Sequence, residues 1–536
     1  MTGPAQPAGS TLASPRARTL PALLLLGAFT LVVRLMCLPA VREDNLTPDG
    51  ARFLNIARCI TRGEGFSTPE AWPAWMNPER LPAPETFKEP GYPFAIAALT
   101  PLVQGPFRAG QWISLLAGLL LPFAVYALGR KLNPDPWVGI VAGGLAAASP
   151  VLIAQSAYVM AESAFALALT VAFLAAAPAT DPGGRQVSPE APRPLDLISG
   201  MLFGLAFLVR AQALVAFPAM ALLLIAGRSW RVRLGRAALA AAGALIAITP
   251  LIVRNLRLFG EPLHSDVTAF GLWPYVDQFA FSHSLERPPS ATGYALAHLP
   301  QVMAHARSTL ASFLRFTLPH DLLGHGVLVL PLVIGAWIAT QRARVWTFAL
   351  LYLSCTAIFI LSLNWVARYF ASAAPLLCLL AALGAVWIVR RVEPVPRPRG
   401  FSIARMLALA LALLMVAIAV RTVRNVAPPT APDLAAARAE APFLKAHLAP
   451  GEAVMAETTS YWAWFADRPA VHPVVADIPT FESVMRRLRV RYAALPTSRL
   501  AEFAARYPGG KLPDALVRDH ENPDCDITVF EVRVQR

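Results

Sequence analysis

Long apolar blocks alternate with polar segments along almost the whole chain. Each block is predicted to form a transmembrane helix, and we place eleven of them near residues 20–41, 109–129, 137–153, 160–177, 195–210, 211–227, 236–253, 322–340, 345–363, 369–389 and 403–420. A helix needs about 20 apolar residues to cross the hydrocarbon core, and several blocks are shorter, so their ends are placed to within a few residues. The pattern predicts a polytopic α-helical membrane protein.

A further apolar run at 90–104 is short and contains three prolines. If it crossed the membrane, the basic residues at 130–131 would lie on the opposite side from those at 16–18. If it lies at the interface, every basic cluster falls on one side, which the positive-inside rule assigns to the cytoplasm. We therefore predict a cytoplasmic N-terminus, and outer-face positions for loops 41–108 and 254–321 and for the tail from 421.

Composition agrees with this arrangement. Of the 536 residues, 56% are hydrophobic and only 15% charged, which is low for a soluble protein. Most of the net charge of +14 lies in the predicted cytoplasmic clusters, so it serves as a topogenic signal and no nucleic acid is expected as a partner. Five scattered cysteines predict neither a disulfide framework nor a zinc site.

The tail differs in pattern from the rest. Short apolar runs predict strands at 451–457, 489–496 and 526–534, and helical periodicity predicts helices at 434–448 and 480–489, the second with Thr480 as N-cap. Alternating helices and strands predict a small α/β domain. The predicted domains are a transmembrane domain at 1–420 and an extracytoplasmic α/β domain at 421–536.

The first outer loop begins with a predicted helix. Thr47 is suited to cap it, Pro48 to its first position and Gly63 to its end. Its apolar residues recur at helical spacing, which predicts a helix lying on the membrane surface with its apolar side down. Asp49 falls in the first turn, close to the exit of the first span. By itself, Asp49 is explained as well by complementing the helix dipole.

Four other outer segments contain charged residues at the lipid boundary. They are "FKEPGYP" with Lys88, Glu89 and Tyr92, "YVMAESAF" with Glu162, "VRNLRLFGEP" with Arg254, and "ARYFASAAP" with Arg368 and Tyr369. Each alone is compatible with a snorkelling cation, a loop acid or an interface anchor. Basic residues on the outer side run against the topogenic trend, and carboxylates near lipid are costly unless they have a function.

Together these residues fit glycosyl transfer from a lipid phosphate. A carboxylate activates an acceptor hydroxyl, and cations stabilise the departing phosphate. We therefore predict Asp49 and Glu162 as catalytic residues. Contacts to the carrier phosphate or acceptor are predicted for Arg52, Lys88, Glu89, Tyr92, Arg254, Arg368 and Tyr369.

The order of the motifs "PDGARFLNIARCITRGEGF", "KEPGYP", "AES", "VRNLRLFGEP" and "ARYFASAAP" resembles that of the GT-C superfamily of polyprenyl-phosphate-sugar-dependent glycosyltransferases. It is most similar to the branch of protein O-mannosyltransferases and the aminoarabinose transferase that modifies lipid A. The resemblance implies a long first outer loop, a second acidic motif after the third span and, in many members, an outer C-terminal domain. It implies a polyprenyl-phosphate-linked sugar as donor, and a glycolipid, glycan or protein as acceptor.

The resemblance also implies roles for individual residues. Asp49 matches the first-loop catalytic acid, Glu162 the second acidic motif, and Lys88 a basic residue that contacts the carrier phosphate in some relatives. Phe53 stands where many relatives have tyrosine, and "PGYP" replaces a Pro-Pro pair, which points away from strict protein mannosyltransferases. Some branches require a divalent cation such as Mg or Mn and others do not, and the sequence leaves this open.

Two other interpretations of the chain remain. A transporter or lipid flippase would place charges within its spans, and Arg34 in the first span favours it, although near the outer half of that span Arg34 is also suited to snorkel or to contact the carrier phosphate. An inactive scaffold would keep the fold without needing its carboxylates. No metal site is predicted, because the histidines of the second outer loop lack the spacing of metal ligands and are expected to be solvated. These are His264, His283, His298, His305, His320 and His325. The Ala- and Arg-rich composition favours a GC-rich bacterium, and we therefore expect the chain in a bacterial inner membrane.

Overall fold

A computed structural model of the chain describes residues 15–72, 76–178, 187, 189–225, 229–266, 272, 274–285, 291–324, 326–341, 343–363, 367–392, 403–427 and 431–534. Most of these residues are helical. The helices are α1 (Pro15–Cys37), α2 (Pro48–Thr61), α3 (Gly91–Leu99), α4 (Pro106–Leu132), α5 (Pro136–Ala148), α6 (Pro150–Ala157), α7 (Glu162–Ala176), α8 (Pro194–Val209), α9 (Phe217–Leu224), α10 (Trp230–Phe259), α11 (Gln278–His283), α12 (Ala291–Ala297), α13 (Leu299–Ser312), α14 (Val329–Gln341), α15 (Ala343–Leu363), α16 (Ala374–Val392), α17 (Ile403–Arg424), α18 (Pro432–His447), α19 (Thr459–Ala466), α20 (Ile478–Arg487) and α21 (Leu500–Arg506).

The longest apolar helices are suited to cross a membrane. Five in the described part of the chain meet this test by length and composition, and the bent pair α5 and α6 makes a sixth if it is one span. The remaining predicted spans coincide with shorter apolar helices, α7, α8, α9, α14 and the apolar part of α15. The chain is thus a multi-pass membrane protein, while the number eleven stays a prediction. Helix α3 has nine residues, too few to cross a bilayer, as expected for an interfacial segment.

The break between α5 and α6 bends the pair by 56° and lies at Ser149 and Pro150. Proline cannot donate the hydrogen bond that would continue the helix, so carbonyls before it lose their partners. Arg34 of α1, which is 1% exposed, replaces them by donating to Ala147 O at 2.8 Å and Ala146 O at 3.5 Å. The mid-span charge that favoured a transporter is therefore engaged in holding a helix break.

Small residues allow the closest helix contacts. A Cβ added at Gly335 of α14 would lie 1.8 Å from Leu380 O, and one added at Gly384 of α16 would lie 1.9 Å from Pro331 O. Without glycine at both positions the two backbones could not approach this closely, which is the usual way in which membrane helices pack.

In the described part of the chain, eight strands form two sheets. They are β1 (Ser67–Thr68), β2 (Glu70–Ala71), β3 (Ala83–Pro84), β4 (Ala453–Ala456), β5 (Ala470–Val471), β6 (Val490–Pro496), β7 (Leu516–Asn522) and β8 (Ile527–Val532). β1 and β3 pair antiparallel, and the other six strands have the order β2-β5-β4-β6-β8-β7. The first four strands of that sheet are parallel, and β8 and β7 continue it antiparallel.

The larger sheet crosses the predicted boundary between domains. Strands β4, β6 and β8 and helices α18 and α20 occupy the segments predicted in the tail. Strand β2, however, comes from the first loop and pairs with β5, about 400 residues later in the chain. The N-cap of α20 is Asp477, which accepts from Thr480 N, so the expectation that Thr480 caps this helix was wrong. The two-domain division stays a prediction.

Helix α2 begins as its sequence predicts. Thr47 Oγ1 accepts from Gly50 N at 3.0 Å, and Pro48 occupies the first helical position. Its surroundings differ from the expectation of an amphipathic surface helix. Polar Arg52 and Asn55 are as buried as the apolar residues, because α19 and β2 cover the face expected to meet water. Helix α2 therefore lies between the membrane helices and the larger sheet.

Candidate active site

The candidate active site forms around Asp49, in the first turn of α2. Its Oδ1 lies 2.7 Å from Lys88 Nζ and its Oδ2 lies 2.5 Å from Arg368 Nη2. The carboxylate and both cations are partly buried, with side chains 26%, 14% and 25% exposed. Residues 49, 88 and 368, distant in sequence, thus meet at one point that solvent still reaches.

Glu162, the first residue of α7, is the second carboxylate of the cluster. Its Oε1 lies 2.5 Å from Arg210 Nη1 and 3.9 Å from Arg368 Nε. Its side chain is only 3% exposed. Arg368 therefore bridges the two predicted acids, and the ion pairs form one chain in the order Lys88, Asp49, Arg368, Glu162 and Arg210.

Two aromatic rings flank this chain of charges. Lys88 Nζ lies 5.5 Å from the centre of the Phe53 ring. The centre of the Tyr369 ring lies 5.3 Å from the guanidinium carbon of Arg210 and 5.4 Å from that of Arg368. Cations over ring faces are stabilised electrostatically, so the rings help to hold the three cations near the carboxylates.

A buried support lies behind Lys88. Glu85, with a side chain 0% exposed, accepts from the backbone nitrogens of Phe87 and Lys88 at 2.6 and 2.9 Å. It also pairs with Arg52 at 2.9 Å, and Arg52 lies 3.8 Å from Glu70. Arg52 was predicted to contact substrate, but its guanidinium is engaged by these acids, and its position is that of a residue that shapes the loop.

Glu89 and Tyr92 also hold backbone. Glu89 Oε1 accepts from Ala211 N at 2.9 Å, which ties the Lys88 turn to the segment of Arg210. Tyr92 OH donates to Gly110 O at 3.0 Å and lies 2.8 Å from Ser114 Oγ, and its side chain is 1% exposed. The prediction of a substrate contact fails for Tyr92, because the phenol packs between helices α3 and α4.

Arg254 is a predicted phosphate-binding cation that lies outside the cluster. It donates to Phe66 O at 3.1 Å and to Glu85 O at 2.8 Å, and thereby fixes the first loop. It lines a separate cavity of about 840 Å³, whose other lining residues are Leu285 and residues within 64–67, 76–86 and 254–266. The prediction that Arg254 joins Asp49 and Glu162 is therefore not met in this structure.

The electrostatics of the cluster keep Asp49 ionised. Burial raises the pKa of its carboxyl, but the charges of Lys88 and Arg368 outweigh burial and hold that pKa well below its usual range. Glu89 behaves in the opposite way: burial raises its pKa more than the bond from Ala211 N and the nearby Arg210 lower it. In the resting site Asp49 is thus a charged carboxylate neutralised by two cations.

No group of three or more His, Cys, Asp or Glu side chains suited to a metal ion occurs among the described residues. The predicted solvation of the second-loop histidines fails for His283, which is 4% exposed and lies beside His472, with ring centres 4.6 Å apart. His325 lies outside the described residues.

Arg210 and Glu85 belong to the candidate site but were not predicted from the sequence. Arg210 interrupts a nearly continuous apolar stretch at the junction of two predicted spans, and that isolation was a usable signal. Glu85 gives no comparable signal, since an acid in a polar loop is ordinary until its burial is known.

A cavity of about 650 Å³ opens beside the cluster. Arg368 forms part of its wall, together with residues of α6, the end of α17 and His320 and Asp321. The cavity gives a ligand of small-molecule size access to the cation that joins the two carboxylates.

Residues 84–253 of the chain match the family model of dolichyl-phosphate-mannose-protein mannosyltransferase. That range includes Lys88, Glu162 and Arg210 and excludes Asp49 and Arg368. A search of curated proteins by sequence gave no match.

Solved structures give longer matches. The chain is similar to ArnT from Cupriavidus metallidurans in the apo state, with a TM-score of 0.59 and 13% sequence identity over 96% of this chain and 98% of that chain. The same enzyme bound to undecaprenyl phosphate matches with a TM-score of 0.55 and 13% identity, over 95% and 97%. The archaeal oligosaccharyltransferase AglB from Archaeoglobus fulgidus, in complex with an inhibitory peptide and a dolichol-phosphate, matches with a TM-score of 0.61 and 13% identity, over 97% and 74%.

At this level of identity the solved structures establish the fold. The predicted resemblance is confirmed at the level of the fold, and the family match over residues 84–253 favours a transferase over a transporter.

Proposed function

We propose that the protein is an integral-membrane glycosyltransferase that moves a sugar from a polyprenyl-phosphate carrier to an acceptor on the outer face of the membrane. The observation that carries this proposal is the chain of five charges, in which three cations serve two carboxylates. One cation is in excess within this chain of charges; the Glu162 carboxylate is buried and that of Asp49 partly buried. An anionic phosphate is the natural ligand for such an arrangement.

The donor phosphate binds Lys88 and Arg368 in competition with Asp49. Once these cations turn to the phosphate, they stabilise the Asp49 carboxylate less and its pKa rises toward that of a useful base. The ion pairs of the resting site thus keep Asp49 charged, and donor binding raises its pKa so that it can accept a proton.

The transfer step forms one bond and breaks one. The acceptor hydroxyl oxygen attacks the anomeric carbon, and its proton passes to a carboxylate oxygen of Asp49. The bond from the anomeric carbon to the phosphate oxygen breaks, and its electron pair stays with the polyprenyl phosphate. Lys88 and Arg368 stabilise the negative charge that develops on that oxygen.

Glu162 acts as a positioning residue in this scheme. Its Oε1 contacts both Arg210 and Arg368, so it fixes the direction of the guanidinium that meets the phosphate. A buried acid between two arginines is itself stabilised by them, and together they form a rigid base for the phosphate site.

The placement of the site supports an outer-face reaction. Asp49 follows α1, Glu162 begins α7 and Arg368 precedes α16, so the charges stand at helix ends rather than in mid-span. With the basic clusters in the cytoplasm, these ends face outward in a bacterial inner membrane. The acceptor is a glycolipid, a glycan or a protein that presents a nucleophile there.

The test replaces Asp49 by Asn in membranes supplied with labelled polyprenyl-phosphate sugars. Loss of the general base is expected to lower transfer by about 10²- to 10⁴-fold. Asp44→Asn is the matched control, because Asp44 lies in the same loop, half exposed, and pairs only with Arg438 among the described residues. Transfer by the Asp49→Asn variant at the rate of this control would refute the assignment.

A further inference from the structure

The cavity beside Arg368 has a polar group that no described contact satisfies. Gln155 of α6 lines this cavity and is 5% exposed, and its Oε1 accepts no hydrogen bond from any residue that the structure describes. Buried amide oxygens in proteins are almost always paired, so an unpaired one on a residue that lines a cavity calls for a donor from a ligand.

We infer that Gln155 binds the sugar ring of the lipid-linked donor and contributes to sugar selection. This inference rests on the proposed function. A sugar presents hydroxyl or amino groups, each of which can donate to the Gln155 oxygen. The neighbouring Ser156 has no such opening, since its Oγ donates to Ile153 O at 2.7 Å.

The position of Arg368 fixes which part of the donor reaches Gln155. Arg368 lines the same cavity and reaches Asp49 at 2.5 Å. A phosphate held by Arg368 therefore has the cavity on one side and Asp49 on the other. The sugar attached to that phosphate enters the cavity, with its anomeric carbon kept near Asp49.

The cavity wall suits a sugar better than a hydrocarbon chain. Besides Gln155, it contains Asp321, Arg421, Thr422 and Asn425. Arg421 forms no ion pair with any residue in the described part of the chain. Thr422 Oγ1 and Asn425 Nδ2 already donate to Ile418 O and Arg421 O. A polyprenyl tail in this space would cover the Arg421 guanidinium and the Gln155 oxygen without giving either a partner, whereas hydroxyl groups can satisfy both.

The experiment compares two kinds of ligand on the full-length protein in detergent. The first is undecaprenyl phosphate without sugar. The second is a panel of undecaprenyl-phosphate monosaccharides that includes glucose, galactose, mannose and 4-amino-arabinose. Gln155→Met preserves the length of the side chain and removes its hydrogen-bonding groups.

The expected result is a selective loss. Gln155→Met lowers affinity for the best-bound sugar carrier about tenfold, the value of about one hydrogen bond, and leaves affinity for bare undecaprenyl phosphate unchanged. Ser156→Ala, the matched control on the same helix, changes neither affinity. Arg368→Gln weakens both ligands, because both contain the phosphate.

Several outcomes would overturn the inference. They are a panel in which no sugar carrier binds more tightly than bare undecaprenyl phosphate, a Gln155→Met variant with unchanged preference for sugar, and equal loss of both ligands in that variant. The failure is distinguishable from that of the proposed function. If Asp49→Asn abolishes transfer while Gln155→Met leaves sugar preference intact, only the role of Gln155 is lost.

Discussion

Single residues in this protein combine two tasks that are hard to reconcile in one static site. In the proposed mechanism, Asp49 must be charged in the resting site and able to accept a proton during transfer. Its pairing with Lys88 and Arg368 serves the first task, and the arrival of an anion serves the second. In that mechanism the same two cations would act in turn on the carboxylate and on the phosphate, which would couple donor binding to activation of Asp49.

Replacing Lys88 by Gln is expected to move the acid side of the pH–activity profile. Asp49 works as a carboxylate and loses activity as the pH falls through its pKa. The cations hold that pKa below its usual range, so removing one of them raises it. Activity measured as kcat/KM, which reports the free enzyme, should therefore begin to fall at a higher pH than in the parent.

Lys88→Arg is the control for that experiment. It keeps the charge, so its acid limb should coincide with that of the parent even if turnover falls. An unchanged acid limb in Lys88→Gln would show that Lys88 does not influence the ionisation of Asp49.

Sequence reasoning found Asp49, Lys88, Glu162 and Arg368 because charge at a lipid boundary is costly and therefore informative. That they contact one another depends on packing of distant helices, which the pattern does not encode. Tyr92 was misassigned for a related reason. Its position in a turn beside Lys88 is visible in the sequence, but its burial against Gly110 and Ser114 is not.

At the scale of elements, the broken pair α5 and α6 shows how membrane helices tolerate an interruption. Pro150 ends one helix and starts the next, and the bend turns α6 toward the cavity that contains Gln155. Arg34 supplies the donors that the break requires. The sequence shows both Pro150 and Arg34, yet nothing in their spacing links them.

Arg34→Leu is expected to destabilise the protein by about 2 kcal/mol, the cost of leaving buried carbonyls without donors. Thermal unfolding in detergent measures this as a lower midpoint. Arg34→Lys retains a donor, so its midpoint of thermal unfolding should lie between those of the parent and of Arg34→Leu. If Arg34→Leu unfolds at the parent temperature, the bonds to Ala146 and Ala147 do not hold the break.

Secondary structure was predicted correctly where the residues of a single segment determine it. The cap of α2 by Thr47 and the strands β4, β6 and β8 follow local rules. It failed for β2 and β5, which have two residues each and are strands only because of their partners: β2 pairs with β5, and β5 lies between β2 and β4. Such short strands have no periodicity to detect.

At the scale of the whole molecule, the last part of the chain holds the helix that contains Asp49. Tyr461 OH donates to Leu46 O at 2.8 Å, and Asn55 Nδ2 donates to Ser460 O at 2.9 Å. Arg58 contacts the carbonyls of Ala463 and Trp464 at the end of α19. The position of Asp49 therefore depends on residues more than 400 positions later in the chain.

Arg58→Met should weaken this attachment by about 2 kcal/mol, because Arg58 makes charged hydrogen bonds and its side chain is 18% exposed. Reduced thermal stability and reduced transfer are both expected. Arg62→Met is the matched control. Like Arg58, Arg62 pairs with Asp467, but its side chain is 49% exposed. Its substitution should therefore lower the free energy of unfolding by well under about 1 kcal/mol. Equal effects of the two substitutions would contradict this account.

The pairing of β2 with β5 has a consequence for biosynthesis. Residues 70–71 leave the ribosome early, whereas their partners at 470–471 follow some 400 residues later. During translation the first loop must therefore wait for the strand that pairs with it. A ribosome that stalls before the tail leaves a chain whose β2 has no partner, and the proposed site in such a chain would lack this support.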